Sequence, residues 1–143
     1  MSVIQFTSAL LQKQFDKGYE ECTELIERTA AYLDGIGRSR KRLLLSSEAE
    51  LYSAESLRLT TRLMLLASWF MARREILDGK VEVAARFGEL RKKVKDTDTR
   101  STKIAGLPED FKELLRESFA MRTRVIWLDE AIRLEEEQAS KRA

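Results

Sequence analysis

Glu55, Arg58 and Arg62 follow one another at spacings of three and four, which places side chains on one face of an α-helix. One carboxylate and two guanidiniums on adjoining turns, met by Arg122 from a distant segment, could grip a dicarboxylate between helices. They would stabilise negative charge without a metal or an imidazole. The simpler reading is a solvated polar flank, in which arginine pairs with glutamate at helical spacing and does no chemistry. Other tools are few. The chain has no histidine, which removes the commonest general base, the commonest zinc ligand and any Ser-His or Cys-His pair. Its single cysteine, Cys22, cannot build a zinc cage, and it falls on an apolar helical stripe, where it reads as a small core thiol. Neither Gly-x-x-x-x-Gly-Lys nor Gly-x-Gly-x-x-Gly occurs, and the Glu-x-x-His element of carboxylate metal sites is missing. No catalytic residue, metal or cofactor is expected, and the function class that remains is binding.

The charge pattern narrows the partner. Lysine and arginine number 26 against 24 acidic residues, a net +2 with the signs interleaved. A duplex binder concentrates positive charge on one face. The basic clusters Arg38–Arg42 and Arg91–Lys95 lack the interleaved aromatics of a single-strand binder and read as solvated helix ends. Nucleic acid is not favoured. The N-terminus lacks the basic-then-apolar order of a secretory signal. The longest apolar run, Leu63 to Ala72, is interrupted by Ser68 and is about half of the roughly 20 residues a membrane span needs. With one unpaired cysteine, the expectation is a soluble cytoplasmic protein with no membrane partner.

Long helices must position these groups. One proline and six glycines in 143 residues leave room for them, and the length fits one helical-bundle domain over 1–143. The first helix is expected from about Thr7 to Asp34. Its stripe is Ile4, Ser8, Leu11, Phe15, Gly18, Cys22, Leu25, Thr29, Tyr32 and Ile36, with Gly35 and Gly37 as left-handed stops. After a basic link, Ser47 and Glu50 form a capping box for a second helix that runs to Leu77 or Asp78, with Gly79 as its stop. Tyr52, Ser56, Leu59, Leu63, Leu66, Phe70 and Leu77 trace one stripe on it. Leu57, Met64 and Met71 trace another, and Leu65, Trp69 and Ile76 sit elsewhere on the circumference. Such a helix is the central one. A short helix covers Val81–Val94, residues 95–106 form a mobile loop, and Pro108 opens the last helix. The tail 136–143 is expected to fray. The fold class is therefore all-α, three long helices with a short extra one.

The last helix carries two apolar lines. Phe111, Leu114, Ser118, Met121, Val125, Leu128 and Ile132 form a heptad seam, and Ala120, Trp127, Ala131 and Leu134 form a second line on a different face. One seam suffices to join the bundle. The second marks Trp127, Ala131 and Leu134 as a candidate dimer or partner face, unless the short helix folds back over Trp127.

Two stretches are similar to a known family. The string Glu55-Ser56-Leu57-Arg58-Leu59-Thr60-Thr61-Arg62-Leu63-Met64, continuing through Ala67-Ser68-Trp69, is the first. Leu107-Pro108, then Leu114 to Ser118, Arg124-Val125 and Leu128-Asp129, is the second. Together with Tyr32-Leu33 they resemble the bacterial family of the regulator of CtrA degradation (RcdA-like proteins), otherwise a domain of unknown function. The resemblance implies a dimerising three-helix bundle. It also implies an adaptor that helps a ClpXP-type unfoldase-protease accept cargo regulators during the cell cycle, alongside other adaptors. Its motif residues here are Glu55, Arg58, Thr60, Thr61, Arg62 and Met64, serving packing or a partner surface. The family's flexible C-terminal tail is short here, where the sequence stops soon after Glu137.

The expected function is thus a non-enzymatic, homodimeric adaptor in regulated proteolysis. Two alternatives stay open: an all-helical enzyme of chorismate-mutase type built on Glu55, Arg58, Arg62 and Arg122, and a nucleic-acid-binding regulator.

Overall fold

The computed structural model describes residues 3–142, and side chains from Ala9 onward except Val81. Ile4 and Ser8 of the first stripe lie outside the described side chains, and the tail's last residue, Ala143, lies outside the described chain. The order is α1 (Val3–Asp34), α2 (Ile36–Arg42), α3 (Ser46–Leu77), α4 (Val81–Lys95) and α5 (Glu109–Arg142). Single 3-10 turns at Asp96–Asp98 and Ile104–Gly106 join α4 to α5. The class is all-α, with α1, α3 and α5 as the three long helices.

The α1 stripe faces inward. Phe15, Gly18, Cys22, Leu25 and Thr29 are buried, and the missing side chain of Gly18 lets the Phe70 ring of α3 lie close against α1. Gly35 does not end the helix in the expected left-handed conformation. It takes φ −117 and ψ −106, and the chain kinks and forms two further turns as α2. Gly37 is needed for space: a Cβ there would come 2.5 Å from the Tyr52 hydroxyl and 2.7 Å from the Tyr32 carbonyl. The kink swings Ile36 off the stripe, and it is exposed.

The capping box at Ser47 and Glu50 does not form. Helix α3 starts at Ser46, so Ser47 lies inside its first turn, and Leu45 caps with no side-chain hydrogen bond. Its end is as expected, with Gly79 at φ 90. Inside the bundle α3 buries Tyr52, Leu59, Leu63, Leu66, Trp69 and Phe70. Phe15 and Phe70 meet edge-on at 5.3 Å. Each such buried side chain stabilises by about 1.5–3 kcal/mol. The half-exposed α1–α5 ion pairs, Arg28–Glu117 and Arg124–Glu21, contribute at most about 1 kcal/mol apiece, so apolar burial decides the packing.

Helix α4 lies along α3. Phe87 approaches Trp69 at 6.2 Å between ring centroids, and Val94 is buried. It therefore covers the flank of α3 that carries Trp69, and it leaves Trp127 uncovered. On α5, Phe111, Leu114, Ser118, Met121, Val125 and Leu128 are buried as the heptad predicts, with Ile132 packed at the margin. The charged tail does not depart from the helix, which runs through Arg142.

Candidate functional site

The string Glu55–Met64 is divided by the helix into an inner and an outer half. Glu55 is 2% exposed and accepts a hydrogen bond from Arg58 Nη1 at 2.6 Å. Arg62 is 1% exposed; its Nε donates to the Thr97 carbonyl at 3.3 Å and its Nη1 to Ser118 Oγ at 2.8 Å. Its guanidinium lies over the Phe119 ring, 3.7 Å from the centroid, and Arg100 packs on the same ring at 3.9 Å. Burial disfavours the charged form and pushes the Arg62 pKa down to about 10, against the pull of Glu55.

Arg122 completes the cluster. Its Nη2 donates to the Lys95 carbonyl at 2.8 Å and its Nε to Val94 at 3.4 Å, with Asp98 3.4 Å from Nη1. Glu55, Arg58, Arg62 and Arg122 thus do converge, the geometry an enzyme gripping a dicarboxylate requires. The bonds of Arg62 and Arg122, however, go to the protein itself. Arg62 and Arg122 hold the backbone of residues 94–97, stapling the α4–α5 connection to the bundle. Arg100 and Phe119 belong to this cluster and were missed, because a stacking partner so far along the chain leaves no periodic signal.

The outer half faces away from the bundle. Thr60, Thr61 and Met64 are exposed, and Thr60 Oγ1 donates only to the Ser56 carbonyl one turn back. With Leu57 at 68%, Met64 at 59% and Met71 at 55% exposure, they form a stripe without a single charge from Ser53 to Met71. In a chain that is 35% charged, such a helix face is unusual.

A second outer face lies on α5. Trp127 and Leu134 are 54% and 58% exposed, Ala120 is exposed, and Ala131 is half-buried between them. Trp127 follows the buried Val125 by two residues, about 200° around the helix. It therefore points away from α3, and Leu57, Met64 and Met71 likewise point away from α5. Each face points out of the bundle on its own helix.

The sequence matches the model of a protein family described as a protein of unknown function (DUF1465) over residues 6–143. The fold is similar to the crystal structure of RcdA from Caulobacter crescentus CB15, with a TM-score of 0.64. The two sequences are 36% identical, over 80% of this chain and 87% of that one. The chain belongs to the RcdA-like DUF1465 family. This is the family that the strings around Arg58 and Leu114 resemble. No curated protein matches the chain. Membership agrees with the three long helices and with the position of the motif on α3. Among the described residues, no helix is long and apolar enough to cross a membrane.

Proposed function

We propose that the chain is a non-enzymatic, cytoplasmic adaptor that promotes degradation of cell-cycle cargo by a ClpXP-type protease, and that it acts as a homodimer. Family membership supports the regulatory role. The observation that carries the mechanism is a pair of separate, largely apolar outer faces, one on α3 and one on α5. A protein that holds two others together raises their effective concentration without bond chemistry, and it needs two surfaces to do so.

The α3 face is the dimer face in this reading. About Met64 as centre it is nearly its own mirror image: Leu57 reflects onto Met71, Thr60 onto Ser68 and Thr61 onto Ala67. An antiparallel α3 of a second copy would set Met64 on Met64 and Leu57 on Met71. That is the self-complementarity a two-fold interface demands. The motif residues Thr60, Thr61 and Met64 then serve the interface, while Glu55, Arg58 and Arg62 serve packing.

Two measurements test the reading. Added to a ClpXP-type protease and candidate cargo, the protein should accelerate proteolysis; no acceleration with any cargo and no binding to protease or fellow adaptors would refute the adaptor role. Light scattering should report a dimer at micromolar concentration and a monomer for Met64→Glu, with helicity unchanged. A monomeric parent chain would refute the dimer.

A further inference from the structure

The corner where α2 turns into α3 gathers charge of one sign. No acidic residue occurs between Asp34 and Glu48, although 24 of the 143 residues are acidic. Within that span stand Arg38, Arg40, Lys41 and Arg42, all exposed. Arg40 bonds Asp110 of α5, whereas Arg38, Lys41 and Arg42 form no ion pair with any described residue. Four cations against one bonded carboxylate leave an excess of three positive charges. The signs interleave along the chain as a whole, and here they do not.

Cations in the last turn of a helix offset its dipole, which accounts for Arg40, Lys41 and Arg42 taken alone. It does not account for what stands beside them. Leu43 is 86% exposed, the most of any large hydrophobic side chain described, and Leu45 and Ile36 follow at 72% and 60%. Ile36 and Leu43, seven apart, share one face of α2, and Arg38 and Arg42, four apart, share another. The corner is held firmly on the bundle. Gly37 is buried under the Tyr52 hydroxyl, and Leu44 packs against the core between the two exposed leucines. Leu43 and Leu45 therefore project from a fixed support, among cations that lack a counter-charge.

We propose that this corner seats the protein on the surface of an anionic phospholipid bilayer. Arg38, Lys41 and Arg42 meet the headgroup phosphates, and Leu43 and Leu45 enter the acyl boundary. The charge excess calls for an anionic partner, and the leucines choose among anionic partners. Nucleic-acid phosphates give an aliphatic side chain nothing to enter, and no aromatic residue from Leu33 to Leu51 could stack on a base. An acidic protein would need a pocket of its own for the leucines, on an interface of about 800 Å² a side from whose centre lysine is usually missing. A projecting corner with leucines beside basic residues suits a soft, planar, negatively charged surface. The contact is peripheral, since no described helix is long and apolar enough to cross a membrane. It departs from the sequence expectation of no membrane partner, which considered spans alone.

Co-sedimentation of the full chain with lipid vesicles tests this. Vesicles of phosphatidylglycerol and phosphatidylcholine in equal parts should bind it at least about tenfold more tightly than phosphatidylcholine alone, and added salt should weaken the binding. The triple variant Arg38→Gln, Lys41→Gln, Arg42→Gln should bind about a hundredfold more weakly. The double variant Leu43→Ser, Leu45→Ser keeps every charge and should bind about tenfold more weakly. All five side chains are exposed, so both variants should match the parent in helicity by circular dichroism. Equal binding to the two vesicle types, or a triple variant that binds like the parent, would overturn the proposal. A serine variant that binds like the parent would overturn it as well, by reducing the contact to adhesion through charge. So would release of the protein from vesicles by an oligonucleotide or by polyglutamate at a lower concentration of charge than the lipid supplies, which would give the corner to nucleic acid or to an acidic protein.

Discussion

The indole Nε1–H of Trp69 on α3 donates to Oδ1 of Asp129 on α5 across 3.1 Å, inside the bundle. Arg91 of α4 bonds the same carboxylate through both Nε and Nη2. Asp129 is 5% exposed, so one buried carboxylate joins three helices.

Removing it should therefore cost more than a typical substitution. Asp129→Ala leaves the indole N–H and a mostly buried guanidinium without their acceptor, at a cost of about 2–4 kcal/mol. Asp129→Asn keeps an acceptor for Trp69 and should lose less. Urea denaturation followed by tryptophan fluorescence reads both. A loss below about 1 kcal/mol for Asp129→Ala would show that the carboxylate does not couple the helices.

Two helical glycines should respond in opposite directions to alanine. At Gly37 the added methyl meets the Tyr52 hydroxyl and the Tyr32 carbonyl, and the overpacking should destabilise by about 1–3 kcal/mol. At Gly88, on α4, a Cβ meets nothing within 4 Å, and alanine should stabilise by about 0.5–1 kcal/mol through helix propensity. Paired thermal melts decide. The same sign at both positions would contradict the close packing of α2 under Tyr52.

Burial pushes the Cys22 thiol pKa up to about 11. At neutral pH the thiol is uncharged and enclosed, so a thiol reagent should label it only as fast as the chain opens. The folded state favours the protonated form. Its contribution is full below the unfolded pKa, near 8.5, and disappears as pH rises toward 11. Cys22→Ala should lose this alkaline dependence, and labelling as fast as a free thiol would show the site to be open.

Asp110 has the opposite sign. Burial raises its pKa, but hydrogen bonds from Tyr32 and Arg40 outweigh that and hold it below the usual carboxylate value. Tyr32 donates at 2.8 Å, tying the end of α1 to the start of α5. A depressed folded pKa gives stability that is present above the unfolded value, near 3.9, and lost as pH falls through the folded one. Wild type should thus lose more stability than Asp110→Asn between about pH 5 and 3, measured by urea midpoints at each pH. Parallel profiles would remove this carboxylate from the account of acid stability.

Much of the architecture was legible because burial follows helical periodicity. The stripe from Phe15 to Thr29, the α5 seam from Phe111 to Leu128 and the stop at Gly79 all lie where spacing and residue type place them. The boundaries that failed were local in appearance and tertiary in cause. Gly35 does end α1 at Asp34, but Gly37 is no stop: it lies inside α2 and is small because the Tyr52 hydroxyl occupies the space its Cβ would need. Ser47 looks like a cap, yet the helix begins one residue before it.

By itself the sequence determined the all-α class, the three long helices and the inward seams, since each depends on residue spacing within one element, and its strings around Arg58 and Leu114 carried the resemblance to the family. Only the tertiary structure decided that Arg62 and Arg122 clamp the α4–α5 connection, that α4 covers Trp69 and not Trp127, and that the outer faces of α3 and α5 are left uncovered. Those facts depend on which groups meet across the bundle. Periodicity says which side of a helix is apolar, but the choice of neighbour is made by packing between helices far apart in the chain.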